Sequence, residues 1–477
     1  MRLKKVVFKN FRCFEHLEVD LHPRLTVIVG NNGTGKTALL DGIAAGLTPV
    51  LTYLSSANQR LTGRGIKDSD FRMVARAGRA GKNRWGVSDF AQIMVDTYDG
   101  LQWDYWKPSA SGAQKPPERY GEKELKQHLN IITNSFKTER PMLAPVMAYY
   151  GANRGHIEVP ERIRSTKQNY NHPTSALIGA LDSLSDFREM LAWFDLEESS
   201  VLRAIRDFDG EEEEEEEEED SYALDAVRSA VVSVLGGIYQ EPSFNRDHKF
   251  VLKRTQDGAP MHVNQLSQGY QSMLALAMDF SRRLAIANRF LEYEDEHAQN
   301  ALSHATDQLQ VGGLTVAAPT PGAWATSAPA IMLVDEIDLH LHPSWQQRVL
   351  GDLMRTFPLT QFIVTTHSPQ VLTTVPKANI RVIESDEFGF RAHSPDFSPL
   401  AHESGDALSK VMGTHREPPL PLQETIRQFE QLVRTGQEQT NEGQVLSGEL
   451  RRAGYQIHDS DLAMWRVLAA RRADKAG

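Results

Sequence analysis

Short apolar runs alternate with segments of helical periodicity along this chain, a pattern typical of an α/β fold. The pattern predicts, in order, strands at 5–8, 17–20 and 25–29, a helix at 37–47, strands at 90–97 and 101–106, a polar helix at 122–135, an apolar run at 143–150, a helix that starts at the segment 266–271 and runs to about 286, and strands at 331–334 and 361–365. The opening α/β pattern resumes only after residue 245. We therefore expect one core that is split by a long insertion.

The insertion shows helical spacing at 180–237 on both sides of an acidic run, which predicts an inserted helical arm. Residues 293–328 show no clear periodicity, so we expect a surface loop there. Three helices are predicted near the end of the chain, at about 420–436, 439–453 and 459–473. The predicted domains are an N-terminal lobe at 1–160, the arm at 161–245, a C-terminal lobe at 246–400, and a helical domain for partner docking at 401–477.

The segment 30–37 reads Gly-Asn-Asn-Gly-Thr-Gly-Lys-Thr and follows the apolar run 25–29 directly. It matches the phosphate-loop pattern G-x-x-x-x-G-K-[ST] between a strand and a helix. Glycines let successive backbone N–H groups turn toward a phosphate, and the helix N-terminus adds favourable charge. We therefore predict ATP binding, with Lys36 acting on the β- and γ-phosphates. The residues expected to hold the nucleotide here are Asn31, Asn32, Gly33, Thr34, Gly35, Lys36, Thr37 and Ala38.

A buried strand at 331–334 ends in Asp335 and Glu336, as expected of a Walker B motif. Thr37 and Asp335 are predicted to hold Mg²⁺, a hard cation that prefers oxygen ligands. Glu336 is predicted to act as the general base on the attacking water. His367 follows the next strand and is expected to contact the γ-phosphate, while Asp338 is expected in the turn that couples paired ATP sites.

Residues 266–271, Leu-Ser-Gln-Gly-Tyr-Gln, stand at the start of a predicted helix and before the Walker B strand. They resemble the signature motif LSxGxQ of ABC ATPases. The resemblance implies that Ser267, Gly269 and Gln271 close on the γ-phosphate of an opposite subunit. Two copies would then enclose two ATP molecules head to tail, as a homodimer or part of a higher oligomer.

The net charge of −11 looks unfavourable for nucleic-acid binding, but ten negative charges lie in the single run 211–220. Without that run the balance is about −1, and the run itself is expected to be a solvated segment, or else a docking site for a basic partner. The single cysteine, Cys13, predicts a packed small side chain and excludes an internal disulfide. No apolar stretch appears long enough to cross a bilayer, so we expect a cytoplasmic protein without a membrane partner.

The strongest basic stretch of the chain lies at 51–85. It could contact a nucleic-acid backbone, or it could be a solvated loop or a protein contact. Its basic residues are Arg60, Arg64, Lys67, Arg72, Arg76, Arg79, Lys82 and Arg84.

The segment after Walker B, residues 335–346, and the opening Asn-Phe-Arg-Cys-Phe at 10–14 resemble the RecF/OLD-like branch of ABC ATPases. With the segment 148–154 (Ala-Tyr-Tyr-Gly-Ala-Asn-Arg) and the tail from 405, they resemble the ATPase of Septu-type anti-phage defence systems (PtuA-like), including retron-associated forms. This resemblance implies that Arg12 approaches the nucleotide and that Asn153 or Arg154 takes the Gln-loop role. The implied partners are an HNH nuclease and, in retrons, a reverse transcriptase with its RNA and DNA product.

Other chemistries are weighed against this hypothesis. Glu384, Asp459 and Asp461 could be acids of a Toprim nuclease, but no convincing strand precedes the last two, so no nuclease site is expected in this chain. His340 and His342 have metal-like spacing without further ligands. The alternative functions are a RecF/SMC-like DNA-repair ATPase that binds DNA directly and, less in keeping with the segment after Walker B, a transporter ATPase.

Overall fold

The computed structural model describes residues 1–55, 59–77, 83–110, 115–155, 170, 172–183, 187–208, 221–310, 322–387, 389–414, 420–455, 463, 464 and 467. The chain divides into two compact units, Met1–Met412 and Gly413–Gly477. The predicted start of the C-terminal domain, at 401, lies 12 residues before this division.

The strands are β1 (Leu3–Phe11), β2 (Phe14–Asp20), β3 (Leu25–Gly30), β4 (Met73–Ala77), β5 (Asn83–Val87), β6 (Phe90–Thr97), β7 (Gln102–Pro108), β8 (Val146–Tyr150), β9 (Tyr239–Phe244), β10 (Phe250–Arg254), β11 (Pro260–His262), β12 (Ala330–Val334), β13 (Thr360–Thr365), β14 (Ile380–Asp386) and β15 (Gly389–His393). The helices are α1 (Lys36–Gly46), α2 (Thr48–Leu54), α3 (Lys123–Ser135), α4 (Phe187–Phe208), α5 (Tyr222–Val234), α6 (Gln268–Ala287), α7 (Glu296–Gln310), α8 (Pro343–Gln346), α9 (Val349–Thr356), α10 (Pro369–Leu372), α11 (Ser404–Lys410), α12 (Leu422–Arg434) and α13 (Asn441–Arg452). Every strand and helix predicted between residues 5 and 150 is present.

The central sheet of the first unit has six strands in the order β15-β14-β3-β13-β12-β8. Five of them are parallel, and β15 pairs antiparallel with β14 at one edge. Because parallel strands end on the same side, the sheet brings the ends of β3, β12 and β13 together. The phosphate loop, the Walker B acids and His367 follow these three strands.

Each face of the central sheet is covered by its own hydrophobic core. Alternate residues along β3 divide between the two, since Val27 and Val29 belong to one core and Ile28 to the other. The Ile28 core packs α1 between the central sheet and an antiparallel sheet of order β2-β1-β6-β7. The opposite core contains α4, α5, α6 and α9. Both faces are therefore buried, as is typical of parallel sheets.

The insertion differs from the predicted arm. Residues of α4 and α5 are buried in the same core as α6, including Trp193, Phe194 and Val231. The buried residues of both helices pack on the ATPase core itself, so these helices are part of the first unit and do not form a separate arm. The acidic run 211–220 lies outside the described residues.

The expected loop at 293–328 is wrong in its first half, where α7 forms. Ala298, Leu302, Ala305 and Leu309 are buried along one side of this helix. Their spacing is helical, but two of the four are alanines, which give a weak hydrophobic signal in the sequence. Polar residues on the exposed side obscured the pattern.

The stretch Lys36–Leu54 is long and apolar enough to cross a membrane by length and composition, contrary to the expectation that no such stretch exists. It comprises α1 and α2, and most of it is buried inside the unit. The apolar residues of this stretch form the centre of the Ile28 core, so we interpret it as a core element.

The second unit contains α12 and α13, which confirm two of the three helices predicted in the tail. They pack through Phe429, Val433 and Leu450. The third predicted helix, at 459–473, falls almost entirely outside the described residues, as do Asp459 and Asp461.

Candidate nucleotide site

The phosphate loop leaves β3 at Gly30 and enters α1 at Lys36. Gly33 and Gly35 have φ angles of 83° and 87°, in the left-handed region that favours glycine. A Cβ on Gly35 would lie 2.7 Å from Cys13 Sγ and 2.7 Å from the Phe14 ring. The half-buried Cys13 therefore packs beneath the loop, and burial raises the pKa of its thiol. Glycine at 35 is required by both its backbone angle and this close approach.

Lys36 curls back over the loop that precedes it. Its Nζ donates to Gly30 O at 2.8 Å and to Asn31 O at 3.0 Å. Burial lowers the pKa of this ammonium group, while the Asp335, Glu336 and Asp338 carboxylates act in the opposite direction. A partly desolvated cation at this position suits contact with a phosphate anion, because its charge is less screened than at the surface.

Thr37 and Asp335 meet at the end of the central sheet. Thr37 Oγ1 donates to Asp335 Oδ2 at 2.8 Å, and Thr365 Oγ1 donates to Asp335 Oδ1 at 2.6 Å. Asp335 is buried, so both carboxylate oxygens are fixed by hydroxyl groups. A hydroxyl and a carboxylate are hard oxygen donors of the kind that Mg²⁺ prefers, and these two residues fit that ion. When bound with ATP, Mg²⁺ would neutralise phosphate charge that develops during hydrolysis.

A cavity of about 310 Å³ opens over the phosphate loop. It brings the predicted loop residues together with Asp335, Glu336 and His367, which come from the ends of β12 and β13. Its lining residues are Asn32, Gly33, Gly35, Lys36, Thr37, Ala38, Asp335, Glu336 and His367. Asn31 and Thr34 do not line it but shape the loop, since Thr34 Oγ1 donates to Asn31 O at 2.8 Å.

Asp338 does not line this cavity, although it lies close to the switch segment. It accepts hydrogen bonds from Thr366 Oγ1 at 2.6 Å and from the His367 backbone N–H at 3.3 Å. The carboxylate thus ties the turn after β12 to the residues after β13. Its predicted contact with a paired ATP site stays a prediction.

The signature segment forms the N-terminus of α6. Exposed Ser267 is the N-cap, accepting from the Tyr270 N–H at 3.5 Å, and buried Gly269 lies so close to His340 O that a Cβ would be 2.6 Å from it. Gln271 donates to Val263 O and Leu266 O and thereby fixes the preceding loop. These residues do not line the phosphate-loop cavity of their own chain. This placement is consistent with a second half-site offered to another subunit.

Residues 5–234 match the family described as AAA domain. The retron Vc95 probable ATPase of Vibrio cholerae serotype O1 biovar El Tor is 25% identical over 491 residues, covering 92% of this chain and 84% of that protein. The retron Ec83 probable ATPase of Escherichia coli is 26% identical and covers 81% of this chain and 72% of that protein. The Septu protein PtuA of Bacillus mycoides (strain KBAB4) is 29% identical over 81% of this chain and 41% of that protein.

These similarities, over most of the chain, support a Septu/retron-type ATPase. Its fold is that of an ABC/RecF-type P-loop ATPase head, in agreement with the central sheet and the order of its nucleotide motifs. Among solved structures, the SMC head domain from Thermotoga maritima aligns with 83% of this chain and with 100% of its own length. The sequence identity is 13% and the TM-score is 0.36. The fold assignment does not depend on that overlap.

Arg12 lies beside the phosphate-loop helix of this ATPase but outside the cavity lining. Its guanidinium pairs with Asp41 at 2.7 Å and with Asp70 at 2.8 Å. Arg64 pairs with the same two carboxylates, at 3.1 and 2.9 Å. The four residues form a network between α1 and the segment before β4, so Arg12 has a structural role here. Its contact with nucleotide stays a prediction.

The basic residues of the stretch 51–85 do not all lie in the same surroundings. The Arg64 side chain is 9% exposed and pairs with Asp70, and Arg72 pairs with Glu15 at 2.7 Å, so these two cations are engaged within the unit. Arg79 and Lys82 lie outside the described residues. The rest of the stretch includes the β4–β5 hairpin, on which Trp85 is 67% exposed.

Other candidate residues prove to be structural among the described residues. His342 is the N-cap of α8 and contacts Ser344, and no group of three potential metal ligands forms in the described part of the chain. Glu384 on β14 pairs with His393 on the edge strand β15 at 3.3 Å. The exposed Asn153 does not line the cavity, whereas Arg154 is buried and contacts the Walker B backbone. The sequence signal for a role of Arg154 near the Walker B strand was its position soon after the apolar run that forms β8. In the sheet, β8 lies next to β12.

Proposed function

We propose that this chain is the ATPase subunit of an anti-phage defence complex and that its ATP cycle controls a partner nuclease of the HNH type. The supporting observation is the site itself: a phosphate loop, a fixed Asp335, a Glu336 facing the cavity and His367. The similarity to retron and Septu proteins connects this site with defence systems. We also propose that it acts in the cytoplasm. In retron-type systems, its further partners would be a reverse transcriptase and the RNA and DNA product of that enzyme.

The ATP-dependent step proposed here is pairing of two copies. Each copy has a cavity on the phosphate loop and an exposed Ser267 at the N-terminus of a 20-residue helix. A helix N-terminus stabilises anions, so it can close on the γ-phosphate of a partner's ATP. Loss of that phosphate would release the contact and change what a bound nuclease can reach.

The test uses the complex formed with the product of a neighbouring nuclease gene. Nuclease activity is measured with ATP for the native complex, for Lys36→Ala and for Glu336→Gln. We expect Lys36→Ala to remove the response to ATP and Glu336→Gln to hold it in the ATP-bound condition. Lys249→Ala, in the exposed turn between β9 and β10, is the matched control and should leave the response intact. Identical nuclease activity in all four complexes would reject ATP control.

A second candidate function, direct nucleic-acid binding, is supported by the β4–β5 hairpin. In the sequence, residues 73–87 carry four basic residues and no acid, and Trp85 and Met73 are 67% and 54% exposed on the hairpin. An exposed aromatic among cations can stack on an unpaired base while the cations contact phosphates. This surface would serve a single strand of nucleic acid.

This candidate is tested by binding of a fluorescent single-stranded oligonucleotide at several salt concentrations. Trp85→Ala should weaken binding by roughly 10-fold, the scale of one stacked base. Tyr293→Ala removes an aromatic side chain that is 75% exposed outside the hairpin and should have no effect. Equal binding by both variants would exclude the hairpin.

A further inference from the structure

Glu336 holds an unusual backbone conformation. Its φ angle is 50°, in the left-handed region that residues other than glycine rarely adopt. Such conformations persist only where the surrounding contacts fix them. The contacts around Glu336 therefore decide where its carboxylate points.

Two kinds of contact hold this residue from the sheet side. The Glu336 N–H donates to Thr365 Oγ1 at 2.7 Å, and the next N–H, of Ile337, donates to Thr365 O at 2.9 Å. Asp335 N–H donates to Tyr150 O at 2.8 Å. These bonds fix the N–H groups of the Walker B turn, and the Leu339 N–H donates to Glu336 O at 2.9 Å.

Arg154 is a side-chain donor to two carbonyl groups of this turn. Its Nη2 donates to Glu336 O at 2.6 Å and its Nη1 donates to Asp335 O, so one planar guanidinium spans two consecutive carbonyl groups. Nη1 also donates to Gly151 O at 3.2 Å, which ties the guanidinium to the turn after β8. The fork geometry orients the peptide between Asp335 and Glu336 as well as holding it.

This arrangement is costly, which argues that it serves more than packing. Arg154 is 4% exposed, no ion pair with a carboxylate is among its contacts in the described part of the chain, and its buried Nε lacks a hydrogen-bond partner there. Burial lowers the pKa of this arginine to about 10, and the Asp335, Asp338 and Glu336 carboxylates oppose that shift. Burying a charged guanidinium against carbonyl groups costs more free energy than burying an apolar side chain of similar size, even with three carboxylates nearby.

We propose that Arg154 is a positioning residue for ATP hydrolysis, acting through Glu336. By gripping both Walker B carbonyls it holds the Glu336 backbone in the left-handed conformation that points the carboxylate into the cavity. It is not itself a lining residue of the cavity over the phosphate loop, so its effect on hydrolysis passes through Glu336. Loss of Arg154 should therefore slow hydrolysis without weakening nucleotide binding.

The experiment compares Arg154→Met with Arg24→Met in the full chain. Arg24 is a matched control, because it too is a largely buried arginine that donates to backbone carbonyls, Phe357 O at 2.9 Å and Met354 O at 2.6 Å, but at the opposite end of β3. Steady-state ATP hydrolysis and binding of a fluorescent ATP analogue are measured for both. We expect Arg154→Met to lower kcat about 100-fold, the scale of a small displacement of a reacting group, with the analogue's affinity unchanged. Arg24→Met should leave kcat close to native for the fraction that folds.

Two further variants separate positioning from a structural role. Arg154→Lys keeps the charge but loses the fork, and it should restore part of kcat. In a Glu336→Gln background, Arg154→Met should cause no additional loss of hydrolysis, because the group it positions is already gone. A parallel loss of ATP affinity, an equal effect of Arg24→Met, or a full additional loss in the Glu336→Gln background would each overturn the proposal.

Discussion

Thr37 Oγ1 donates to Asp335 Oδ2 at 2.8 Å, although the two residues are 298 positions apart in the chain. The contact joins the first turn of α1 to the end of β12, two elements that the parallel sheet brings to one edge. It is the point at which the two halves of the ATP site are connected.

Thr37→Ala removes the hydroxyl from that contact. We expect ATP hydrolysis to fall by about 100-fold, the scale of losing one preorganised electrostatic contact, and to require more Mg²⁺. Hydrolysis is measured across a Mg²⁺ titration, with Thr37→Ser as the control that keeps the oxygen. Native rates for Thr37→Ala at every Mg²⁺ concentration would show that the hydroxyl has no part in metal binding.

Glu336→Gln keeps the shape of the side chain but removes the base. Hydrolysis should fall by about 10²–10⁴-fold, the usual contribution of general base catalysis. Because ATP then persists, the ATP-linked dimer should accumulate, which is measured by light scattering after gel filtration with and without ATP. Normal hydrolysis by this variant would mean that a different group activates the water.

Lys36→Ala and Ser267→Arg test the composite site. Each variant alone should be inactive, because every site in its dimer contains one damaged half. In an equimolar mixture, half of the dimers are mixed, and each of these has one intact site, so about a quarter of native hydrolysis should return. A mixture that stays as inactive as its components would argue against a site shared by two copies.

Gly269→Ala tests the packing under the signature helix. A Cβ there would lie 2.6 Å from His340 O, a backbone atom that cannot move aside easily. Unfolding free energy from chemical denaturation should fall by about 1–3 kcal/mol. Gly351→Ala in α9, where a Cβ meets nothing within 4 Å, should instead be neutral or stabilising by up to about 1 kcal/mol. Equal effects of the two variants would contradict this account.

Asp279 gives the chain an acid sensitivity. Burial alone would raise its pKa, but the charges of Arg283 and Arg282 and hydrogen bonds from Arg283 and Tyr150 lower it to about 2. The pKa of Asp279 in the folded chain is lower than its value of about 3.9 in the unfolded chain, so the ionised carboxylate stabilises the fold above about pH 3.9. This stability is lost as the pH falls toward 2 and the carboxylate is protonated. Asp279→Asn should lower the unfolding free energy by about 3–5 kcal/mol at neutral pH, since two buried arginines lose their partner.

The control for Asp279 is the pH profile itself. Unfolding is measured from pH 6 to pH 2, and the difference between the native chain and Asp279→Asn should shrink as pH falls through this window. Asp225→Asn, on the neighbouring helix α5 with a 44% exposed side chain, should show a much smaller difference throughout. A constant difference between the native chain and Asp279→Asn would mean that the loss is steric.

Much of the site could be predicted from sequence because its residues lie in short contiguous motifs. The phosphate loop, Asp335 with Glu336, and His367 each follow an apolar run, and a strand followed by such residues allows few other interpretations. The same local rules found α3, α12 and α13. They failed at α7, where alanines supply half of the buried face, and for the inserted arm, because helical periodicity does not say what covers a helix.

By itself, then, the sequence determined the strands that carry the nucleotide motifs, those motifs and the ABC type of the ATPase, since these depend on neighbouring residues. The tertiary structure decided which long-range partners those residues have. It placed Arg64 and Arg12 on Asp41 and Asp70, and it placed Arg154 on the carbonyls of Asp335 and Glu336. The Arg154 contacts join residues about 180 positions apart in the chain, and the pairing of β8 with β12 brings them within hydrogen-bonding distance.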